Sequence, residues 1–307
     1  MPSTTHLIDA ASPLRGDGVV YLDPGRAAGP AVHVLIVGVA TYEAPKYARL
    51  LDTATVSARA LADWFLGLGS KGFANPERQL GSLAILLSET KDGKQASYAD
   101  GPVPRADFAN TRNAVRQWLL RVESNPDNLA FVYVAGHGES FTSRTAFLLE
   151  DYGTDTMDVT AGMVEVEQFI RSMEFAVPVP QLLIFDCCRS PTGDELPWDE
   201  QVGQKLIALK RRPNDHGLPR KQWVSCSTTL GEVAIGLKGR PTLFNDALMD
   251  ALNGAAGDTS EADWPVRPGL LVDRIDRILG LHRLGSDDKP QTPAGRMAGS
   301  FDITLPG

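Results

Sequence analysis

Apolar residues along this chain fall into two rhythms. The first is a set of short continuous runs: Val32-His33-Val34-Leu35-Ile36-Val37-Gly38-Val39, Leu83-Ala84-Ile85-Leu86-Leu87, Leu129-Ala130-Phe131-Val132-Tyr133-Val134-Ala135 and Leu182-Leu183-Ile184-Phe185. Unbroken runs of this length predict strands covered on both faces, as in a parallel sheet. Between them the spacing changes to three and four. Ala54, Ala58, Leu61, Ala62 and Phe65 share one helical face, as do Phe108, Val115, Leu119 and Val122, and then Met163, Val166, Ile170 and Met173. The alternation predicts a βαβαβαβ core with right-handed crossovers.

Weaker patterns surround this core. Ala146-Phe147-Leu148-Leu149 reads as part of a small hairpin outside the main sheet. Residues 191–221 carry Pro191, Pro197, Pro213 and Pro219 with a cluster of Lys and Arg, which predicts a long exposed connection with a short helix within 201–210. Order resumes at Gln222-Trp223-Val224-Ser225-Cys226-Ser227, a further strand. Pro241 then starts a helix with Phe244, Ala247, Leu248, Ala251 and Leu252 on one face. Leu270 to Leu279 is another helix, and Phe301-Asp302-Ile303-Thr304-Leu305 is the expected edge strand, for a mostly parallel six-stranded sheet flanked by helices. Residues 1–30 are rich in Gly and Pro and read as a surface extension, leaving 31–307 as one domain.

Charge and cysteine content narrow the function. A net charge of −8 without a long basic run argues against nucleic acid as a principal partner. No stretch approaches the ~20 apolar residues of a membrane helix, and the first residues lack a signal-peptide pattern, so a cytoplasmic protein is expected. Three cysteines, two of them adjacent, make no disulfide framework; in a reducing compartment they are core filler or nucleophiles.

The chemistry gathers at two strand ends. Leu182-Leu183-Ile184-Phe185-Asp186-Cys187-Cys188-Arg189-Ser190 runs from a buried strand straight into an acid, two thiols and a base. The third run ends in Ala135-Gly136-His137-Gly138, where flanking glycines leave room around the imidazole. Adjacent strand ends then present a histidine and Cys188 at one rim of the sheet, as nucleophilic catalysis by cysteine requires. Cys187, pointing the other way, is expected to pack as a small hydrophobe.

These two motifs, together with Ser225-Cys226-Ser227 and Leu243-Phe244-Asn245-Asp246-Ala247-Leu248, resemble the caspase-like cysteine peptidases, especially metacaspases and bacterial caspase homologues. In caspases a histidine stands roughly fifty residues before the nucleophile, as His137 stands before Cys188. The resemblance implies a caspase-like (caspase-hemoglobinase) α/β fold and a cysteine endopeptidase. Cys188 would be the nucleophile and His137 the proton carrier, with the Gly138 and Cys188 amides forming the oxyanion hole. Asp186 stands where metacaspases carry an acidic S1 residue, which implies a preference for Arg or Lys at P1; an Asp capping the next helix is the competing account. Protein or peptide substrates, an activating or inhibitory protein partner, a latent zymogen and a role in bacterial stress or antiphage defence are further implications.

Three departures qualify the resemblance. Arg189-Ser190-Pro191 follows the nucleophile where metacaspases have His-Ser-Gly. Val56-Ser57-Ala58 stands where the resemblance implies a second acid of the S1 pocket, which leaves either Asp52 as a substitute or a pocket with one carboxylate only. No cofactor or metal is expected; Glu150, Asp151, Asp155 and Asp158 are the candidates for calcium, and a solvated acidic loop accounts for them as well. Residues 191–221 occupy the position of the caspase intersubunit linker, so Lys205, Lys210, Arg211, Arg212, Arg220 and Lys221 are candidate self-cleavage sites. Two other functions fit the same residues: a catalytically silent homologue acting as a scaffold, and an unrelated thiol enzyme on a doubly wound sheet.

Overall fold

The structure, a computed structural model, describes residues 6–26, 29–47, 51–90, 94–141, 144–176, 180–191, 203–208, 221–283 and 291–306. In chain order these form β1 (Val19–Leu22), β2 (Ala31–Val39), α1 (Asp52–Leu66), β3 (Gln79–Ser88), β4 (Ser97–Tyr98), β5 (Gly101–Pro102), α2 (Phe108–Val122), β6 (Leu129–Gly136), β7 (Gly138–Phe141), β8 (Arg144–Leu148) and β9 (Met163–Glu165). They are followed by α3 (Val166–Ala176), β10 (Gln181–Cys187), β11 (Ser190–Pro191), β12 (Gln222–Cys226), α4 (Leu243–Asp250), α5 (Pro268–Arg283) and β13 (Ala294–Ala298).

The four apolar runs became β2, β3, β6 and β10. With β12 they form the parallel centre of a sheet ordered β1-β3-β2-β6-β10-β12-β13. Both edges are antiparallel: β1 pairs with β3, and β13 pairs with β12. The sheet therefore has seven strands, mixed in direction, where six were expected.

Both extra features come from segments without a strong strand pattern. β1 lies within the stretch read as a surface extension, yet Val19 and Val20 are fully buried. The expected edge strand at 301–305 is not in the sheet; β13 takes that place instead. Ile303 donates its N–H to Val266 and Val266 donates to Thr304, which packs Phe301 and Ile303 into the core beneath α4 and α5.

Two apolar layers cover the sheet. Alternate residues of the central strands, such as Ile36, Phe131, Tyr133, Leu182 and Ile184, face α1, α4 and α5, whereas Leu35, Val132, Leu183 and Phe185 face α2 and α3. A second, four-stranded sheet ordered β11-β7-β8-β9 grows directly from the end of β6 and contains the predicted hairpin. No helix forms within the described part of 201–210, namely 203–208. Among the described residues no helix is long and apolar enough to cross a membrane.

Candidate active site

Register decides what meets at the sheet's carboxyl edge. In the parallel β6–β10 pair, Gly136 stands opposite Cys187. The next residue on each chain is His137 on one side and Cys188 on the other, so these two leave the sheet side by side where ligands of open α/β sheets bind.

The adjacent thiols have separate environments. Cys187 is 3% exposed and faces the layer of Phe147 and Phe185, with its Sγ against the Val134 carbonyl. Burial pushes its thiol well up. Cys188 is half-buried, and its Sγ accepts a hydrogen bond from the Ala234 N–H at 3.3 Å. Its pKa is also raised by burial, with the Ala234 amide pulling the other way, so the thiol is protonated at rest near neutral pH.

His137 lies in an aromatic slot. Its ring centroid is 5.0 Å from that of Tyr42 and 4.6 Å from that of Tyr47, both on the loop that follows β2. Burial lowers its pKa to about 4, which keeps the imidazole neutral at pH 7. The His137 N–H donates to the Tyr42 hydroxyl at 2.6 Å, and that hydroxyl donates to the Val39 carbonyl at 3.2 Å. Gly136 is required there, because a Cβ would sit 2.6 Å from the Tyr42 oxygen.

Gly138 begins β7 and lies against the main chain of Cys188: a side chain would collide with the Cys188 carbonyl and come within 2.9 Å of Cys187 Cβ. Gly138 is opposite Phe147, while the Leu148 N–H bonds the His137 carbonyl. This makes Gly138 a non-hydrogen-bonded position of the ladder, with its own N–H directed away from β8.

Arg189 finds a role that the sequence left open. Its N–H donates to the Glu232 carbonyl at 3.1 Å, its carbonyl accepts from Gly231 N–H and from Ser140 Oγ, each at 2.8 Å, and its Nε donates to Thr145 Oγ1 at 2.9 Å. The residue therefore ties the chain after Cys188 to the small sheet and to the loop after β12.

Asp186 is 2% exposed and faces the α1 and α4 side of the sheet. One carboxylate oxygen accepts from the Tyr133 hydroxyl at 2.7 Å and from Thr242 Oγ1; the other, Oδ1, is buried without a hydrogen-bond partner. Desolvation raises its pKa, opposed by the hydroxyls of Thr242, Tyr133 and Ser227. Around it, Asn245 Nδ2 donates to Tyr133 at 3.1 Å, Thr242 caps α4 by accepting from Asn245 N–H at 3.0 Å, and Ser57 Oγ accepts from Thr242 N–H at 2.9 Å. Asp52 instead holds the loop before α4, its Oδ2 accepting from Gly239 N–H at 3.1 Å.

The remaining candidates separate. Glu150 is 2% exposed and committed to Ser88 Oγ and the Arg105 guanidinium, and Asp151 accepts from Phe108 N–H at the start of α2. Asp155 and Asp158 accept turn amides near their own loop. Among the described residues no three His, Cys, Asp or Glu side chains gather as a metal site. Lys205 and Lys221 are exposed; Lys210, Arg211, Arg212 and Arg220 lie outside the described residues.

Sequence reasoning did not anticipate Tyr42, Tyr47, Tyr133 or Ala234. Thr242 was legible: a threonine beside the predicted helix start is a standard N-cap signal.

With this geometry in place, comparison with known proteins gives the family. The family model described as the caspase domain matches residues 31–263, and the chain belongs to that family of cysteine peptidase domains. Among curated proteins it is 25% identical over 226 residues to the uncharacterized protein y4kE of Sinorhizobium fredii, covering 70% of this chain and 63% of that protein. The chain thus spans less than two thirds of that relative's length. Its fold is similar to that of caspase-1 from Spodoptera frugiperda, at 10% identity and a TM-score of 0.50, over 88% of this chain and 87% of the other. It is similar also to protein GSU0716 from Geobacter sulfurreducens, at 14% identity and a TM-score of 0.51, over 90% and 97%.

Proposed function

We propose that this chain is a cysteine endopeptidase that cleaves after Arg or Lys, with Cys188 as nucleophile and His137 as proton carrier. The observation that carries this reading is the placement of those two residues next to each other beyond the paired Gly136 and Cys187, in a chain of the caspase family. Neutral His137 takes the thiol proton as the Cys188 sulfur bonds to the scissile carbonyl carbon. The Gly138 and Cys188 amides hold the resulting oxyanion. Collapse breaks the C–N bond, and His137 returns the proton to the leaving amine. Water then attacks the thioester, gives one proton to His137 and releases the acid and the thiol.

Asp186 supplies the preference for a cation. Its unpartnered Oδ1 is an acceptor in a dry site, and a guanidinium or ammonium reaching it gains a charge-assisted hydrogen bond. The resting enzyme is latent. Support comes from the half-buried thiol and from the loop amide of Ala234 that occupies it. Activation displaces the 228–242 loop, through a partner, a ligand or cleavage within 191–221. A part in bacterial stress or antiphage defence accompanies this reading through the resemblance to bacterial caspase homologues.

The test is covalent labelling. A peptidyl-arginine chloromethyl ketone should attach to Cys188 of the wild type, and the Cys188→Ala protein should neither label nor cleave Arg or Lys reporter peptides. Labelling that survives in Cys188→Ala, or cleavage only after acidic or apolar residues, contradicts the reading. A scaffold protein would show no cleavage under any activating treatment.

A further inference from the structure

Cysteine–histidine pairs are often oriented by a third group that fixes the imidazole. Among the described residues no carboxylate or amide side chain hydrogen-bonds the His137 ring. What does pack against it is aromatic: Tyr42 at 5.0 Å between centroids and Tyr47 at 4.6 Å, themselves 5.6 Å apart and so side by side against the imidazole, with Tyr152 behind Tyr47 at 6.0 Å. Both rings come from one loop, and each is anchored by its hydroxyl to a different element. Tyr42 is bound to the main chain at the ends of β2 and β6, through the Val39 carbonyl and the His137 N–H. The Tyr47 hydroxyl donates to Glu139 of β7, a carboxylate only 4% exposed that also accepts from Lys46 at 3.0 Å.

We propose that Tyr42 is a positioning residue for His137, and that, with Tyr47 beside it, Tyr42 forms an aromatic wall standing in for the third member of a triad. The inference rests on the peptidase reading for its kinetic consequences, but the wall itself has a readout that needs no activity. Tyr42 fixes both degrees of freedom that matter. Its hydroxyl holds the His137 backbone at the strand end, and its ring limits rotation of the imidazole toward or away from Cys188. Misplacement of a reacting group by about 1 Å can cost on the order of 100-fold in rate.

The wall also excludes water from the ring. Among the described residues the titratable groups gathered around the wall and the ring are Tyr42, Lys46 and Tyr47 from the loop after β2, Glu139 from β7, Tyr152 beyond β8, and Cys187 and Cys188 at the end of β10. Lys46 and Glu139 neutralise each other as an ion pair, so burial is the cause of the depressed imidazole pKa.

The experiment compares wild type with Tyr42→Phe and Tyr42→Ala. The His137 resonance is titrated by NMR in histidine-labelled protein, assigned by its loss in His137→Gln, and kcat and KM are measured on an arginyl reporter peptide. Wild-type His137 should titrate near pH 4. Tyr42→Phe keeps the ring and should keep that midpoint, with kcat reduced roughly 10- to 100-fold and KM within about twofold. Tyr42→Ala opens the slot and should bring the midpoint toward about 6.5. Alkylation of Cys188 by iodoacetamide and a thermal melt report whether each variant is folded. A Tyr42→Ala midpoint unchanged near 4, or Tyr42→Phe with wild-type kcat, overturns the proposal. If the wild type cleaves nothing, the peptidase reading fails, and the titration alone decides the role of the aromatic wall.

Discussion

Replacing Asp186 by Asn removes a buried carboxyl group at nearly constant volume, and pairing that change with a substrate change isolates what the carboxyl group does for a cationic side chain. Citrulline has the shape of arginine without its charge. The wild type and the Asp186→Asn variant, each assayed on two peptides, P1 arginine and P1 citrulline, therefore close a double-mutant cycle for a single ion pair. Asp186 is 2% exposed with one oxygen unpartnered, so screening by water is weak. At about 4 Å and an effective dielectric near 20 the attraction is about 4 kcal/mol. Stripping water from the incoming guanidinium offsets part of it, and a coupling of about 2–3 kcal/mol should remain. That corresponds to kcat/KM for arginine falling roughly 30- to 150-fold more than that for citrulline. The assay uses activated protein, with iodoacetamide alkylation of Cys188 as a measure of an intact thiol site; the alkylation rate should change by less than about threefold. Equal losses on the two peptides, with coupling below about 0.4 kcal/mol, would refute the assignment. Asp186 would then serve only the internal network of Tyr133, Thr242 and Asn245.

Two further outcomes concern stability. Arg105→Ala leaves the Glu150 carboxylate, 2% exposed, without its guanidinium; the melt should show a loss of about 2–4 kcal/mol, and adding Glu150→Gln should recover part of it, whereas no recovery would mean that the ion pair is not the cause. His33 is 5% exposed with its pKa lowered to about 4, chiefly by burial and secondarily by Arg121. The unfolded chain binds a proton below about pH 6.5 while the folded chain does not until about pH 4, so this contribution is complete above 6.5 and is lost as pH falls toward 4. Its full size is about 3 kcal/mol, and His33→Gln should flatten the pH dependence of denaturant unfolding between pH 7 and 4.5; an unchanged slope contradicts the assignment.

The site was partly legible because half of its information is local. A glycine-flanked histidine and an apolar run ending in Asp-Cys-Cys are contiguous signals, and parallel pairing of consecutive strands converts both into neighbours at one edge. The groups that tune the site are distant in sequence and ordinary in appearance. Tyr42 meets His137 across 95 residues, Ala234 reaches Cys188 across 46, and Thr242 meets Asp186 across 56. No spacing rule marks a tyrosine in a loop as the neighbour of an imidazole.

The same division holds for the fold. Continuous apolar runs and three-to-four spacing determined the parallel strands and their helices, because burial on both faces or along one stripe is written residue by residue. Strand order at the edges was decided by tertiary packing. β13, Ala294-Gly295-Arg296-Met297-Ala298, is largely exposed, so it has little apolar pattern, and its place in the sheet comes from main-chain pairing with β12. The apolar residues at 301–303 signalled burial truly but strand wrongly: Phe301 and Ile303 fill the layer under α4 and α5 rather than a ladder position. Apolar content reports that a residue is inside; only the assembled structure reports which backbone it pairs with, and here that choice also set what lies beside His137 and Cys188.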